Sequence, residues 1–241
     1  MDKSCLSLKK IEKIIGSKKI LSNISFSVGK NEIVGLLGPN GAGKTTAFYI
    51  AAGLMFPNQG KVLISDKDVT NKPMHARANL GLGYLPQESS LFADLSVEDN
   101  LFGIAELLKL NREHKIEKVT KIIDEFNLAK ILQIKGRMLS GGQRRKVEIA
   151  RTLICKPEII LLDEPFAGID PIAVGEIKEL LQEISKKDIS ILITDHNVRE
   201  TLSLCNRAII LSNGIIIAEG NEESLKQNAH VKKEYFGKMF I

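Results

Sequence analysis

The chain contains 241 residues, of which 44 % are apolar, which is enough for a hydrophobic core in one large domain or in two small ones. Its 34 Lys and Arg residues against 29 Asp and Glu residues give a formal net charge of +5, but no run of five like charges occurs, so dedicated nucleic-acid binding is not indicated. No apolar run approaches the roughly 18 residues of a membrane span, and the first residues lack the apolar segment of a secretion signal, so we expect a cytoplasmic protein that reaches a membrane only through partners.

The chain is predicted to begin with β-structure. Between residues 6 and 37 the apolar side chains fall largely on one face, residues 29 to 31 form a turn, and residues 32 to 37 return as a buried strand. The apolar residues on that face are Ile20, Ile24, Phe26 and Val28. The returning strand leads directly into a glycine-rich segment.

This segment, Gly38 to Thr45, has the spacing G-x-x-x-x-G-K-T between a predicted strand and a predicted helix. The spacing predicts a phosphate-binding loop, or P-loop, because glycine at positions 38 and 43 lets backbone amides wrap a phosphate chain. We expect Lys44 to reach the β- and γ-phosphates of a nucleoside triphosphate and Thr45 to offer its hydroxyl to Mg²⁺. A simple strand-to-helix turn is the alternative. The candidate nucleotide contacts are Gly38, Pro39, Asn40, Gly41, Ala42, Gly43, Lys44, Thr45 and Thr46.

The following helix is predicted to end at Gly53, with a turn at residues 57 to 60 and a strand at residues 61 to 65. A short apolar run at residues 81 to 85 then leads to Gln87. The Gln87 amide is a candidate contact for Mg²⁺ or for the attacking water, and a surface glutamine in a loop is the alternative.

From Ser96 onwards the apolar period becomes helical. Ser96 is expected to cap a first helix together with Asp99, and a second helix runs from about Arg112 to Phe126. No strand signal appears before Glu158, so residues of about 88 to 156 are predicted to form an all-helical subdomain. The apolar positions of the two helices are Val97, Leu101, Ile104, Leu107 and Leu108, followed by Ile116, Val119, Ile122 and Ile123.

A second helix start suited to an anion is predicted at Leu139-Ser140-Gly141-Gly142-Gln143, before a basic amphipathic helix at residues 144 to 154. One nucleotide has one γ-phosphate, so two such sites favour a head-to-tail homodimer. Ser140, Gly141, Gly142 and Gln143 of one copy would then close over the nucleotide of the other. A capping turn without a ligand is the alternative.

Two carboxylates, Asp163 and Glu164, follow the predicted buried strand at residues 159 to 162. Paired acids at a strand end require a cation nearby, so we expect Asp163 to belong to the Mg²⁺ shell and Glu164 to act as general base on water. An ordinary acidic junction between strand and loop is the alternative.

His196 follows another predicted strand, residues 189 to 193, and is therefore placed at the edge of the sheet where ligands of α/β proteins bind. We expect its neutral imidazole to donate to the γ-phosphate, and the alternative is a histidine bonded locally at a helix start. The other histidines, His75, His114 and His230, are expected to be solvated.

Several local signals complete the chain. Asp170 before Pro171 predicts the start of a helix that reaches Lys186, and Asn213-Gly214 predicts a hairpin between strands at residues 207 to 212 and 214 to 218. The three cysteines lie far apart and are expected to be free thiols. Together these elements predict one α/β domain over residues 1 to 241: a P-loop core with a β-rich N-terminal layer (1–87 and 157–220), the helical subdomain (88–156) and a C-terminal tail (221–241).

Five segments in this order resemble the ATPase subunits of ABC transporters: the P-loop, YLPQE at 84 to 88, LSGGQ at 139 to 143, LLDEP at 161 to 165 and TDH at 194 to 196. The resemblance implies an ABC-type nucleotide-binding domain with ATP and Mg²⁺ as cofactors. It also implies that residues 166 to 170, ending in Asp170, form the D-loop that crosses the dimer.

Longer segments, at residues 83 to 101, 161 to 178, 192 to 214 and 230 to 237, are similar to the ATPases that drive lipopolysaccharide extraction from the inner membrane of Gram-negative bacteria. This narrower resemblance implies a homodimer beneath the membrane subunits LptF and LptG, with LptC associated. The alternatives are the ATPase of another transporter, such as a branched-chain amino-acid importer, a soluble ABC ATPase, and a P-loop protein that binds nucleotide only as a regulator.

Two positions depart from the family pattern. Ile15 stands where family members usually place an aromatic residue that stacks on adenine, so we expect weaker stacking. Phe92 keeps the aromatic residue expected to dock a helix of the membrane subunit, but Ala93 and Asp94 stand where basic residues are common. A buried core aromatic is the alternative for Phe92.

Overall fold

The structure, a computed structural model, describes residues 4–237 and contains two sheets flanked by helices. The first three residues and the last four residues of the predicted tail lie outside the described part. The strands are β1 (Leu6–Ile15), β2 (Lys18–Val28), β3 (Ile33–Leu37), β4 (Gln59–Ile64), β5 (Lys67–Asp68), β6 (Leu82–Leu85), β7 (Ile159–Asp163), β8 (Ser190–Thr194), β9 (Arg207–Ser212) and β10 (Ile215–Gly220). The α-helices are α1 (Lys44–Ala52), α2 (Met74–Ala78), α3 (Val97–Glu106), α4 (Arg112–Glu125), α5 (Gly141–Leu153), α6 (Pro171–Ser185), α7 (Val198–Leu204), α8 (Glu222–Gln227) and α9 (Ala229–Val231). Short 3₁₀ turns lie at Ala129–Ile131 and Gly136–Met138, and a π-helical turn lies at Lys232–Phe236.

The central sheet has the strand order β10-β9-β3-β8-β7-β6, and all neighbouring strands except β10 and β9 run parallel. Every residue of β3, β7 and β8 is buried, as expected for parallel strands that are covered on both faces. The second sheet is antiparallel, with the order β2-β1-β4-β5. It is the predicted β-rich N-terminal layer.

Two of the three apolar clusters found among the described residues lie on opposite faces of the central sheet. One combines sheet residues such as Leu162 and Ile193 with Leu101, Val119 and Val147 of helices α3, α4 and α5. The other combines Leu36, Leu161 and Leu192 with the antiparallel sheet and α1. The helical region thus packs directly on the sheet that carries the P-loop, while its boundaries at residues 88 and 156 remain a prediction.

The predicted helix starts are confirmed. Ser96 and Asp99 form a reciprocal capping box, and the side chain of Asp170 accepts from the backbone N–H of Ala173 at 3.0 Å. Two residues of the predicted apolar stripes lie outside the core: Leu107, 78 % exposed, follows the last residue of α3, and Ile116 lies on the solvent side of α4. Helix α3 therefore ends before Leu107, and the face of α4 turned to the core is narrower than the apolar pattern suggested.

The helix α1 ends on a buried arginine that the sequence did not reveal. Arg77 of α2 donates from Nη1 to the carbonyl oxygens of Ile50, at 2.6 Å, and Ala51, at 2.8 Å, in the last turn of α1. Its other nitrogens donate to the carbonyl oxygens of Lys72 and Thr70. A cation at this end of a helix opposes the partial negative charge of the free carbonyls. Burial lowers the pKa of Arg77 to about 10.

Other predictions of the element pattern agree with the structure. The hairpin at Asn213-Gly214 joins β9 to β10, and Gly53 ends α1 in the left-handed conformation. The cysteines of the described region are free, and His75, His114 and His230 are exposed. Among residues 4–237, no helix has the length and apolar character needed to cross a membrane.

Candidate nucleotide-hydrolysis site

The candidate residues of four strands meet at one edge of the central sheet. The strands β3, β6, β7 and β8 run in the same direction, so the residues after their last positions lie at the same edge. These residues are the P-loop after β3, Gln87 after β6, Glu164 after β7 and His196 after β8.

Two of the P-loop glycines, Gly38 and Gly43, lie where the backbone is closely packed. Gly38 has φ +151°, and a Cβ atom there would lie 2.0 Å from the carbonyl oxygen of Leu211 in β9. Gly43, with φ +102°, precedes the first residue of α1, and a Cβ atom there would lie 2.7 Å from Cδ2 of Leu21. Tight packing against β9 and β2 therefore adds a second reason for glycine to the expected wrapping of phosphate.

Lys44 lies folded over the loop that it follows. Its side chain is 8 % exposed, and Nζ donates to the carbonyl oxygens of Gly38, at 2.7 Å, and Pro39, at 3.0 Å. Burial lowers the pKa of the Lys44 ammonium, and the charge of Glu164 opposes this shift. Thr45, the next residue, is exposed in the first turn of α1.

Glu164 is the point on which Gln87 and His196 converge. Nε2 of Gln87 donates to Oε2 of Glu164 at 2.7 Å, and Nε2 of His196 lies 2.8 Å from Oε1. The sequence predicted Gln87 beside Mg²⁺ or water and His196 beside the γ-phosphate, whereas here both contact the carboxylate. Glu164 also has φ +46°, an uncommon conformation for a residue with a side chain, and it sits between two strand ends.

Asp163 is buried next to Glu164 and has few polar contacts. The hydroxyl of Tyr84 lies 3.5 Å from its Oδ2. Burial and the charge of Glu164 raise the pKa of Asp163. A buried acid crowded by a second acid, with the exposed residue Thr45 among the predicted ligands, fits a hard cation such as Mg²⁺, whose positive charge would offset both effects.

The segment from Ser140 to Gln143 begins α5. The Ser140 hydroxyl accepts from the backbone N–H of Gln143 at 3.3 Å, and Oε1 of Gln143 accepts from the backbone N–H of Ser140 at 3.1 Å. A Cβ atom at Gly142 would lie 2.6 Å from Cβ of Ala173, so this turn packs against the start of α6. The capping turn considered as the alternative is therefore present, and it leaves Ser140, Gly141 and Gln143 exposed.

Two side chains that were predicted to make contacts at the surface are exposed. Ile15, at the end of β1, is 48 % exposed, and Phe92 is 56 % exposed, so the buried alternative for Phe92 is wrong. The guanidinium carbon of Arg151 lies 5.8 Å from the centre of the Phe92 ring. Asp94 forms an ion pair with Arg137, with Oδ1 and Nη1 2.8 Å apart.

Sequence reasoning missed several buried polar residues around the site. Asp195 accepts from the backbone N–H groups of Phe166, at 2.9 Å, and Asn197, at 2.7 Å, so it ties the turn after Glu164 to the turn that carries His196. Arg145 and Glu148 form a buried ion pair on α5. Asp195 could have been found, because it lies within the segment TDH. Arg145 and Glu148 could not, because a buried pair three residues apart on a helix has the same spacing as an exposed pair.

Comparison with known proteins agrees with this geometry. The family profile described as ABC transporter matches residues 21–167. The lipopolysaccharide export system ATP-binding protein LptB of Haemophilus influenzae is 49 % identical over 98 % of this chain and 99 % of its own length. LptB of Escherichia coli K12 is 45 % identical over 98 % of both chains. A crystal structure of a nucleotide-free ATP-binding cassette from an ABC transporter superposes with a TM-score of 0.87 at 30 % identity, covering 97 % of this chain and 99 % of the other.

The fold, the order of the segments at the sheet edge and the match over most of the chain agree with one another. The profile match alone spans more than half of the 241 residues. The chain therefore belongs to the ABC transporter family and is an ATP-binding subunit of an ABC transporter, with the ATPase activity of that family.

Proposed function

We propose that two copies of this chain bind two ATP molecules head to tail. In each site Lys44, Thr45 and the P-loop amides of one copy hold the triphosphate, and Ser140 to Gln143 of the other copy close over the γ-phosphate. Asp170 lies in the segment that would cross between the copies, and Ile15 would lie under the adenine. Two helix starts on one chain, after Gly43 and after Ser140, support this arrangement.

Within each site we assign Glu164 as the general base. The observation that carries this assignment is that Gln87 and His196, from two other strand ends, both reach its carboxylate. When a nucleotide enters, Glu164 would accept a proton from the attacking water, Gln87 would orient that water, and His196 would turn to the γ-phosphate.

Mg²⁺ would be held by Thr45, Asp163 and Gln87, and it would neutralise phosphate charge. The residues of this chain supply the rest of the chemistry: the P-loop orients the phosphates, and Glu164 takes the proton. Loss of the γ-phosphate bond would remove the contact shared by the two copies, so the dimer would open and move its membrane partner.

We further propose that the transported molecule is lipopolysaccharide. The similarity to LptB proteins over nearly the full length of both chains supports this cargo. The expected partners are the membrane subunits LptF and LptG, with LptC, and the expected location is the cytoplasmic face of the inner membrane. Phe92, exposed beside Arg151, would receive a helix of the membrane subunit.

The test of the cargo is to purify the tagged full-length chain from detergent-solubilised membranes and identify the companion chains. Recovery of LptF and LptG is the expected result. Recovery of the membrane subunits of an amino-acid importer would overturn the lipopolysaccharide assignment and leave the ATPase assignment intact.

The test of the shared site is a mixed dimer in which one copy carries Ser140→Ala and Gly141→Asp, and the other copy carries Lys44→Ala. If each site were formed within one copy, both sites of this dimer would be damaged. In the head-to-tail arrangement one site carries both defects and the other carries none, so about half of the wild-type activity per dimer is expected if the sites act independently. If the sites act independently, loss of all activity in a dimer shown to contain both chains would contradict this arrangement.

A further inference from the structure

Arg145 contacts the backbone directly before both Gln87 and Glu164. It lies in α5 and is 5 % exposed. Nη1 donates to the carbonyl oxygen of Pro86 at 2.9 Å, and Nη2 donates to the carbonyl oxygen of Asp163 at 3.0 Å. One guanidinium group therefore joins the peptide that precedes Gln87 to the peptide that precedes Glu164.

Glu148, one helical turn after Arg145, completes this connection. Its Oε2 accepts from Nη1 of Arg145 at 3.1 Å. Its Oε1 accepts from the hydroxyl of Ser89, at 2.8 Å, and from the backbone N–H of Ser90, at 2.9 Å. The pair thus holds the chain on both sides of Gln87, and both of its members stand on one helix.

Stability alone does not account for this pair. Buried ion pairs are often no more stable than apolar side chains of the same volume, because both charges lose their hydration. Nε of Arg145 is buried without a hydrogen-bond partner among the described residues, which adds a further cost. What an apolar pair could not supply is a planar group with two donors that reach two separate carbonyl oxygens.

We propose that Arg145, held by Glu148, is a positioning residue that fixes Gln87 and Glu164 relative to each other and to the start of α5. The inference rests on the proposed role of Glu164 as general base. Because Ser140 caps the start of α5, the pair aligns the hydrolytic side chains of one nucleotide site with the helix start that would meet the nucleotide of the second copy. Such alignment acts on turnover, since small displacements of catalytic groups cost large factors in rate.

The first test is Arg145→Lys in the full-length chain. Lysine keeps the charge, but its single ammonium group cannot bridge the two carbonyl oxygens in the same geometry. We expect kcat for ATP hydrolysis to fall about tenfold or more, with KM for ATP within roughly a factor of two, because the P-loop is untouched. Unchanged kcat would overturn the proposal.

Arg207→Lys is the matched control. Arg207 also pairs with a glutamate, Glu32, at 2.7 Å, and donates to a backbone carbonyl oxygen, that of Ser27, at 2.7 Å, but it lies at the opposite edge of the central sheet. Its replacement should lower Tm and leave kcat unchanged when both variants are assayed well below their Tm. An equal loss of kcat in both variants would show a general effect of stability and overturn the proposal.

The double variant Arg145→Met, Glu148→Leu gives a second readout, because it removes both charges together and fills the space with apolar groups. Assayed well below its Tm, it should keep the low kcat of Arg145→Lys, and recovery of wild-type kcat would overturn the proposal. Glu164→Gln, measured in parallel, distinguishes the general-base hypothesis from the positioning hypothesis. Normal turnover in Glu164→Gln would refute Glu164 as the base. Loss of turnover in Glu164→Gln with normal turnover in Arg145→Lys would refute only the positioning role of Arg145.

Discussion

Nε2 of His196 lies 2.8 Å from Oε1 of Glu164. The other oxygen of the same carboxylate accepts from Gln87, so both oxygens of the proposed base are occupied by protein groups. Each carboxylate oxygen has two lone pairs, so a second position on each oxygen is left to accept from a water molecule. Exchange of either protein contact on nucleotide binding would free a further acceptor position on the proposed base.

Glu164→Gln should bind ATP and hydrolyse it very slowly. The amide keeps the size of the side chain but cannot accept the proton of water, so we expect kcat to fall about 10²- to 10⁴-fold. Closed dimers should accumulate with ATP, as measured by size-exclusion chromatography together with phosphate release. Near-normal turnover would remove Glu164 from the role of base.

Asp163→Asn should stabilise the nucleotide-free chain at pH 8. Burial and Glu164 raise the pKa of Asp163, so this group favours the folded state at low pH, and the benefit is lost as the pH rises through its raised pKa. Asparagine does not ionise. We therefore expect the Tm of the variant to exceed the wild-type Tm by roughly 2–4 °C for each kcal/mol by which the free energy of unfolding increases. The difference should shrink toward pH 4, and the exposed Asp124→Asn should not reproduce it. A lower Tm for Asp163→Asn at pH 8 would contradict the argument.

Arg77→Leu should destabilise the chain. It leaves the carbonyl oxygens of Ile50 and Ala51 buried at the end of α1 without their donor, which costs roughly 2–3 kcal/mol and lowers Tm by about 5–10 °C. Thermal unfolding measures the change, and Arg112→Leu at the exposed start of α4 is the control. Equal Tm values for the two variants would refute the role assigned to Arg77.

Ile15→Tyr should tighten ATP binding. An aromatic ring at this exposed position can stack on adenine, and we expect a gain on the order of 0.5–1.5 kcal/mol, together with better discrimination of ATP from GTP. Titration with both nucleotides measures the two effects. If both affinities stay the same, the predicted adenine contact is not at Ile15.

Phe92→Ala should weaken assembly with the membrane subunits. The exposed ring would lose its contact with the partner helix, whereas the chain itself should stay folded because Phe92 belongs to none of the three buried apolar clusters. Leu107→Ala is the control, since Leu107 is the more exposed of the two apolar side chains. Co-purification and transport at wild-type levels in Phe92→Ala would exclude this residue as a docking contact.

The sequence predicted best those elements whose signals are local. The capping box at Ser96, the start of α6 at Asp170 and the hairpin at Asn213-Gly214 all depend on residues three or fewer positions apart. The buried strands β7 and β8 were also predicted, because parallel strands are apolar along their whole length. The short helices α2, α7, α8 and α9 were not, since a few residues give too little apolar periodicity.

The candidate site was predicted as a set of residues, but its contacts were not. The strand ends placed Gln87, Glu164 and His196 at one edge, whereas their hydrogen bonds depend on the angle of each turn, such as the left-handed conformation of Glu164. Arg145 was hidden for a similar reason. Its partners are backbone carbonyl oxygens of Pro86 and Asp163, which are distant in the sequence and which every residue possesses.

The close approach of Gly38 to the carbonyl oxygen of Leu211 affects how inactive variants of this subunit are interpreted. With any side chain at position 38, an added carbon would collide with the main chain of β9, so the protein would be damaged in its assembly before its affinity for phosphate could be judged. Random mutagenesis will therefore score Gly38 as essential even in assays that contain no nucleotide. An added Cβ at Gly41 meets no atom within 4 Å, but the φ of +79° is strained for a residue with a side chain, so a loss of ligand affinity there is interpretable only together with a measurement of folding.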